Sequence, residues 1–132
     1  QRLKMVNAMV RKFVLLVACL ACQNMTAFAG EADVVKIDVD VKSQGFYNFS
    51  VTVSHEDTGW EHYADRWEIV DNDGNILQAR VLHHPHVNEQ PFTRSLAGVA
   101  IPDHIEKLTV RAHDSVHEYG GTAVSVDLRG RH

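Results

Sequence analysis

The sequence predicts an all-β protein and, more narrowly, a seven-stranded antiparallel β-sandwich of the immunoglobulin or fibronectin type. Three observations lead there. Apolar and polar residues alternate over several short segments, turn-forming residues separate these segments, and no long stretch has the apolar period of a helix. Short strands at a spacing of about ten residues are typical of two sheets packed over one core. A small barrel is the alternative.

The first four strands follow from alternation. Residues 35–41 alternate valine and isoleucine with charged residues, and residues 47–53 alternate aromatic residues and valine with polar ones. In the third strand, 65–71, Trp67 fits the core tryptophan of an immunoglobulin-type sandwich. An Asp-Asn-Asp-Gly-Asn turn then predicts a hairpin into the fourth strand, 76–83.

The last three strands are bounded by turn residues. The fifth spans 92–101 and ends at Pro102, which cannot donate a ladder hydrogen bond. Alternating apolar residues mark the sixth at 108–112 and the seventh at 124–128, with a glycine-containing loop between them. The domain therefore has strands throughout its length and no internal repeat.

Residues 1–29 are predicted to be a secretory signal peptide, so the single domain spans residues 30–132. Basic residues precede the apolar run 13–21, which is too short to cross a bilayer, and Ala27-Phe28-Ala29 is a small-x-small cleavage site. A lipoprotein signal is the alternative, because residues 16–19 resemble a lipobox that ends at Cys19. We expect a periplasmic or secreted protein with no membrane span in its mature chain.

Charge and cysteine content exclude several functions. The formal net charge is −4, and the predicted leader removes basic residues and no acidic one. Such an acidic domain lacks the basic surface that binds nucleic acid. Both cysteines, Cys19 and Cys22, lie in the leader, so the domain has no thiolate ligand, thiol nucleophile or disulfide.

Histidines dominate one predicted end of the domain. If successive strands alternate in direction, the loops after the second, fourth and sixth strands share that end. Loops at one end of a rigid sandwich are where binding residues usually lie. These three loops and their borders hold His55, Asp57, His62, His83, His84, His86, Glu89, His113, Asp114, His117 and Glu118.

The segment His84-Pro85-His86 is the predicted chelating arm. Pro85 favours an extended conformation for His84, and residues i and i+2 of an extended segment lie on one face. Imidazole nitrogens without a thiol suit Zn²⁺ or Cu²⁺ better than Cu⁺. The predicted metal ligands come from one set, namely His55, His62, His84, His86, His113, His117, Asp57 and Glu89.

Two other functions stay open. The first is a metal-free interaction module for a periplasmic protein, with histidines that hydrogen-bond to loop backbone and carboxylates. The second is a small metalloenzyme with Asp57 or Glu89 as general base, although no catalytic motif is present and we expect no enzyme. Trp60, Tyr63 and Phe92 are expected to close the end of the core, and a Glu89–Arg94 salt bridge is expected across the loop.

Three motifs resemble a known family. They are residues 55–67 (His-x-Asp-x-Gly-Trp-x-His-Tyr-Ala-Asp-x-Trp), residues 84–95 (His-Pro-His-x-x-Glu-Gln-Pro-Phe-Thr-Arg-Ser) and residues 112–117 (Ala-His-Asp-x-Val-His). Together they resemble a family of small exported proteins of Gram-negative bacteria. The resemblance implies an exported single domain and implies no particular chemistry.

Overall fold

Residues 30–131 of this computed structural model are described, so the predicted signal peptide lies outside the described residues. The described part contains seven strands and no helix. It therefore contains no helix long and apolar enough to cross a membrane. The strands are β1 (Asp33–Ser43), β2 (Phe46–Ser54), β3 (Ala64–Val70), β4 (Ile76–Val81), β5 (Phe92–Ala100), β6 (Lys107–Asp114) and β7 (Val124–Asp127).

The strands form two antiparallel sheets. One has the order β1-β2-β5 and the other the order β4-β3-β6-β7. The prediction of an all-β protein is confirmed, and each predicted strand overlaps an observed one. Alternation and turn residues locate strands well because both are local properties of the chain.

One hydrophobic core joins the two sheets. Phe49 and Val51 of β2 are fully buried, as are Trp67 of β3 and Val110 of β6. Burying side chains of this size stabilises the fold by about 1.5–3 kcal/mol each. Trp67 therefore occupies the core position that the sequence predicted for it.

The predicted hairpin turn joins β3 to β4. One carboxylate oxygen of Asp71 accepts the backbone N–H groups of Asp73 (2.9 Å) and Asn75 (2.8 Å), and Gly74 takes the positive φ of 83° that the turn requires. The side-chain amide and backbone N–H of Asn75 lower the pKa of Asp71. This turn lies at the end of the sheets opposite the histidine-bearing loops.

The loops after β2, β4 and β6 meet, as predicted. Asp57, in the loop after β2, accepts the backbone N–H of His86, in the loop after β4, at 2.6 Å. Asp114, at the end of β6, lies 2.8 Å from the ring of His55, which follows β2. We call this end of the molecule, formed by residues 55–63, 82–91 and 114–123, the histidine end.

Candidate metal centre

Three histidine rings converge on one carboxylate oxygen at the histidine end. The Oδ2 atom of Asp114 lies 2.8 Å from Nε2 of His55, 2.7 Å from Nε2 of His62 and 3.1 Å from Nδ1 of His117. His55 directly follows β2, His62 lies in the loop before β3, and His117 lies in the loop after β6. Residues distant in sequence therefore present their ring nitrogens to one point.

Asp114 has only one carboxylate oxygen free for a ligand. Its Oδ1 accepts the backbone N–H groups of Val116 (2.7 Å) and His117 (2.5 Å). Burial alone would raise the pKa of Asp114. The hydrogen bonds from the backbone and ring of His117, from His62 and from Val116 outweigh burial and hold that pKa well below its usual value. Asp114 is therefore an ionised, acceptor-only group that would bind a cation through Oδ2 alone.

His55 lies between two buried carboxylates. Its Nδ1 is 2.5 Å from Oδ1 of Asp57, and its Nε2 is 2.8 Å from Oδ2 of Asp114. Both nitrogens can donate only when the ring carries two protons. When Nδ1–H donates to Asp57, a neutral ring directs the lone pair of Nε2 towards the Asp114 side. This carboxylate–histidine arrangement is the one that orients histidines bound to metals.

Both carboxylate oxygens of Asp57 already accept buried hydrogen bonds. Besides His55, its Oδ1 accepts the backbone N–H of Ala64 at 3.0 Å, and its Oδ2 accepts that of His86 at 2.6 Å. The side chain is fully buried. Asp57, one of the predicted ligands, therefore connects the loop after β2, the start of β3 and the loop after β4.

The distances suit a small cation. The ligand atoms of His55, His62 and Asp114 lie within 4.8 Å of one another. Bonds of about 2.0–2.1 Å in a tetrahedral zinc site place ligand atoms roughly 3.3 Å apart. The contacts of 2.7–3.1 Å to Asp114 are slightly shorter. A bound ion would therefore lengthen each contact to Asp114 Oδ2 by roughly 0.2–0.6 Å, and it would draw together any pair of ligand atoms near the 4.8 Å limit.

The predicted chelating arm lies apart from this cluster. The ring of His86 is buried and stacks on Phe92, with centroids 4.0 Å apart and planes 8° apart. Its Nε2 lies 3.0 Å from Nη2 of Arg94, which can only donate, so this nitrogen accepts a hydrogen bond. His84 is exposed and its Nδ1 lies 3.2 Å from the carbonyl oxygen of Pro85. In the described part of the chain, neither ring hydrogen-bonds to Asp114.

The buried His86 ring favours its neutral form. Burial is the largest cause that lowers the pKa of His86, and the charges of Arg94 and His84 lower it further. Its Nδ1 is buried without a hydrogen-bond partner, 4.0 Å from Asp57 Oδ2. His86 is therefore a packed loop residue that holds the loop after β4 against Phe92.

Glu89 and His113 also have other partners. The expected salt bridge is confirmed, because Glu89 Oε1 lies 3.3 Å from Arg94 Nη1 on the surface. Nδ1 of His113 lies 2.5 Å from Oδ1 of Asp65, across the β3–β6 pair. His113 and Asp114 are neighbours in β6, so their side chains point to opposite faces of the sheet.

Asp114 was absent from the predicted ligand set, although the sequence contains a signal for it. Leu108, Val110 and Ala112 are buried and alternate along β6, and Asp114 is the next residue of that series. An aspartate that continues an apolar strand face needs partners, because an unpaired buried charge is costly. That period-two position distinguishes it from its neighbour His113.

The three aromatic residues expected to close the core differ in burial, and Tyr63 is half-buried. Phe92 is buried, as predicted. The prediction was wrong for Trp60, whose exposed fraction is 66% and whose ring packs edge-on against Tyr63 at 5.6 Å between centroids. Trp60 lies beyond the last core layer, in the loop that also carries His62.

A second polar network holds the loop that carries His117. The hydroxyl of Tyr119 donates to Glu68, a fully buried residue of β3, and accepts a hydrogen bond from Nη2 of Arg66 at 3.0 Å. The guanidinium of Arg111 lies 4.0 Å from the centroid of the Tyr119 ring. The loop is therefore anchored two residues after His117.

Comparisons with known proteins add one relative. No protein-family model and no solved structure matches the chain. A curated protein of Halomicrobium mukohataei, described as "Putative lipoprotein", is 39% identical over 97 residues. The match covers 74% of this chain and 47% of that protein, so the chain spans about half the length of this relative.

Proposed function

We propose that this protein binds one divalent transition-metal ion, Zn²⁺ or Cu²⁺, through His55, His62, His117 and Asp114, as a carrier, buffer or sensor. The observation that carries the proposal is the convergence of three ring nitrogens on Asp114 Oδ2, at 2.7–3.1 Å. Three nitrogens and one carboxylate oxygen form a donor set that zinc and oxidised copper both accept.

The ligand set differs from the predicted one. His84, His86, His113 and Glu89 have other partners and are left out, and Asp57 becomes the residue that orients His55. The neutral His55 ring, with its proton on the Asp57 side, is the ligand form. His55 lies between the buried carboxylates of Asp57 and Asp114. Metal binding would then put a cation where a proton or a hydrogen bond otherwise lies between these two groups.

We further propose a fibronectin-like sandwich for the two sheets. In the constant-type immunoglobulin arrangement, the fourth strand joins the sheet of the first, second and fifth strands. Here β4 pairs with β3 and extends the sheet of β6 and β7. The shared core of the two sheets supports the sandwich.

We also propose that the protein is exported and that it belongs to the family of small exported Gram-negative proteins that its motifs resemble. The signal-like segment before residue 30 supports export, and so does the relative described as a lipoprotein. Detergent phase partitioning of the full chain and of Cys19→Ser tests the route. If the leader is cleaved after Ala29, both the full chain and the Cys19→Ser variant should partition into the aqueous phase. A detergent-phase protein that Cys19→Ser moves to the aqueous phase would instead establish a lipid anchor.

An interaction module is the second candidate. Trp60 and Val116 are exposed by 66% and 55% at the histidine end, and large exposed apolar side chains favour partner contacts. That candidate expects histidines satisfied separately, as His84 and His113 are. The rings at Asp114 converge instead, and this convergence favours the metal.

Calorimetric titration of the exported, purified protein with Zn²⁺ and Cu²⁺ tests the proposal. We expect one ion per chain, with binding lost in His62→Ala and Asp114→Asn. His84→Ala is the matched control, because it removes an exposed histidine from a neighbouring loop. Absence of binding, or binding that His84→Ala removes and His62→Ala leaves intact, would contradict the proposal.

A further inference from the structure

The four proposed ligands differ in their access to solvent. The side chains of Asp114 and His55 are 0% and 1% exposed, and that of His62 is 15% exposed. The side chain of His117 is 37% exposed. One face of the site is therefore open, and His117 forms that face.

The buried ligands are held by neighbours other than a metal. Nδ1 of His55 is bound by Asp57, and Oδ1 of Asp114 is bound by two backbone N–H groups. The ring of His62 packs edge-on between those of His55 and His117, with centroids 4.8 Å and 4.9 Å away. None of these three side chains can leave without breaking buried hydrogen bonds or packing.

The backbone of His117 is fixed, whereas its ring can move. Asp114 and Glu118 exchange two backbone hydrogen bonds, of 2.9 and 3.0 Å, and the His117 N–H donates to Asp114 Oδ1. The ring contact with Asp114 Oδ2, at 3.1 Å, is the longest of the three. Side-chain rotation can therefore move this ring into solvent and leave every backbone hydrogen bond intact.

We infer that His117 is the exchangeable ligand, through which the metal enters and leaves the site. The inference rests on the proposed metal binding. In the exchange, the bond between the metal and His117 Nδ1 breaks, and a bond forms between the metal and an incoming nitrogen, oxygen or thiolate donor. No electron is transferred, and His55, His62 and Asp114 hold the ion meanwhile. The exposed His117 position thus gives an incoming donor access to the ion.

Stopped-flow release of Zn²⁺ to an excess of chelator tests this role. We expect His117→Ala to keep one ion per chain and to release it roughly 10-fold faster or more, by analogy with the effect of residues that support metal ligands. Added imidazole should slow the release again, because it can replace the missing ring. His84→Ala should release Zn²⁺ at the rate of the unmodified protein.

The absorption of bound Co²⁺ gives a second readout. Because d–d absorption depends on the coordination sphere, His117→Ala should change the Co²⁺ spectrum and imidazole should restore it. Release from His117→Ala at the unmodified rate, or complete loss of binding as in Asp114→Asn, would overturn the inference while the metal site itself stands. Absence of Zn²⁺ binding by the unmodified protein would overturn both proposals.

Discussion

At the scale of the residue, Asp57 shows how one carboxylate organises a site without occupying it. Its oxygens accept from the His55 ring and from the backbone N–H groups of Ala64 and His86, so it links three segments. All these donors are buried with it. Replacement of the carboxylate therefore acts on the proposed metal site indirectly, through the orientation of the ligand His55.

Asp57→Asn should weaken metal binding while the stoichiometry stays at one. The amide places an NH₂ group against an N–H donor and no longer favours the His55 tautomer that directs Nε2 to the metal. We expect a loss of affinity of about 10–100-fold, measured by competition with a chelator of known affinity. Glu89→Gln is the control, since in residues 30–131 that carboxylate hydrogen-bonds only to Arg94, on the surface. An affinity equal to that of the control would contradict the assigned role.

His86 makes stability depend on pH at the same scale. Its pKa in the folded protein is lowered from 6.5, first by burial, so the unfolded chain takes up a proton before the folded one. The stability that this group contributes is present above pH 6.5 and is lost as the pH falls towards the lowered pKa. Urea titrations of the metal-free protein at several pH values measure this effect. As the pH falls from 6.5 to the lowered pKa, the free energy of unfolding should decrease less in His86→Phe than in the unmodified protein. The exposed His84→Ala should follow the unmodified protein.

At the scale of the element, β6 separates two functions by alternation. Its inward residues end in Asp114 at the proposed metal centre, and its outward residues include Arg111 and His113, beside the Glu68–Tyr119 network. That network holds the loop after β6 from the outer face of the sheet. The position of His117 therefore depends on contacts on both faces of one strand.

Tyr119→Phe should destabilise the protein through this network. The hydroxyl donates to the buried carboxylate of Glu68, and its removal leaves that acceptor with weaker partners. A loss of about 1–3 kcal/mol in the free energy of unfolding is expected from urea titration. Tyr63→Phe is the matched control, because the Tyr63 hydroxyl makes no hydrogen bond in the described residues. Equal stability of the two variants would show that the network contributes little.

At the scale of the whole molecule, the core lies beneath the proposed metal centre and supports it. Trp67 and Ile69 pack between the sheets, and Ala64 and Phe92 close the core beneath the histidine end. The core sets the positions of the strand ends, and the loops add the ligands. A ligand that binds only the folded chain must then stabilise the whole fold.

Removal of metal should therefore lower the thermal midpoint. At a free Zn²⁺ concentration 100 times Kd, linkage predicts about 2.7 kcal/mol of added stability. Differential scanning calorimetry with and without chelator measures the difference. Asp114→Asn should show the same midpoint in both conditions, and His84→Ala should keep the full shift. A shift that persists in Asp114→Asn would place the ion elsewhere.

Local pattern predicted the strands, the turns and the end at which the histidines gather. Alternation, proline and glycine act within a few residues, and strand parity then determines which loops are neighbours. This reasoning located His55, His62 and His117 near one another. It also identified the Asp71 turn and the Glu89–Arg94 pair.

Tertiary structure decided which side chains meet. The register of the β3–β6 pair shifts between Ala64 and Arg66. His113 lies opposite Arg66 on the outer face of the sheet, and Asp114 lies on the inner face. Packing on Phe92 and hydrogen bonding to Arg94 give His86 other partners, so it is left out of the proposed ligand set. These outcomes depend on contacts between residues far apart in the chain. A spacing rule places two histidines on one side of an extended segment, but it does not specify the partner that each ring finds there.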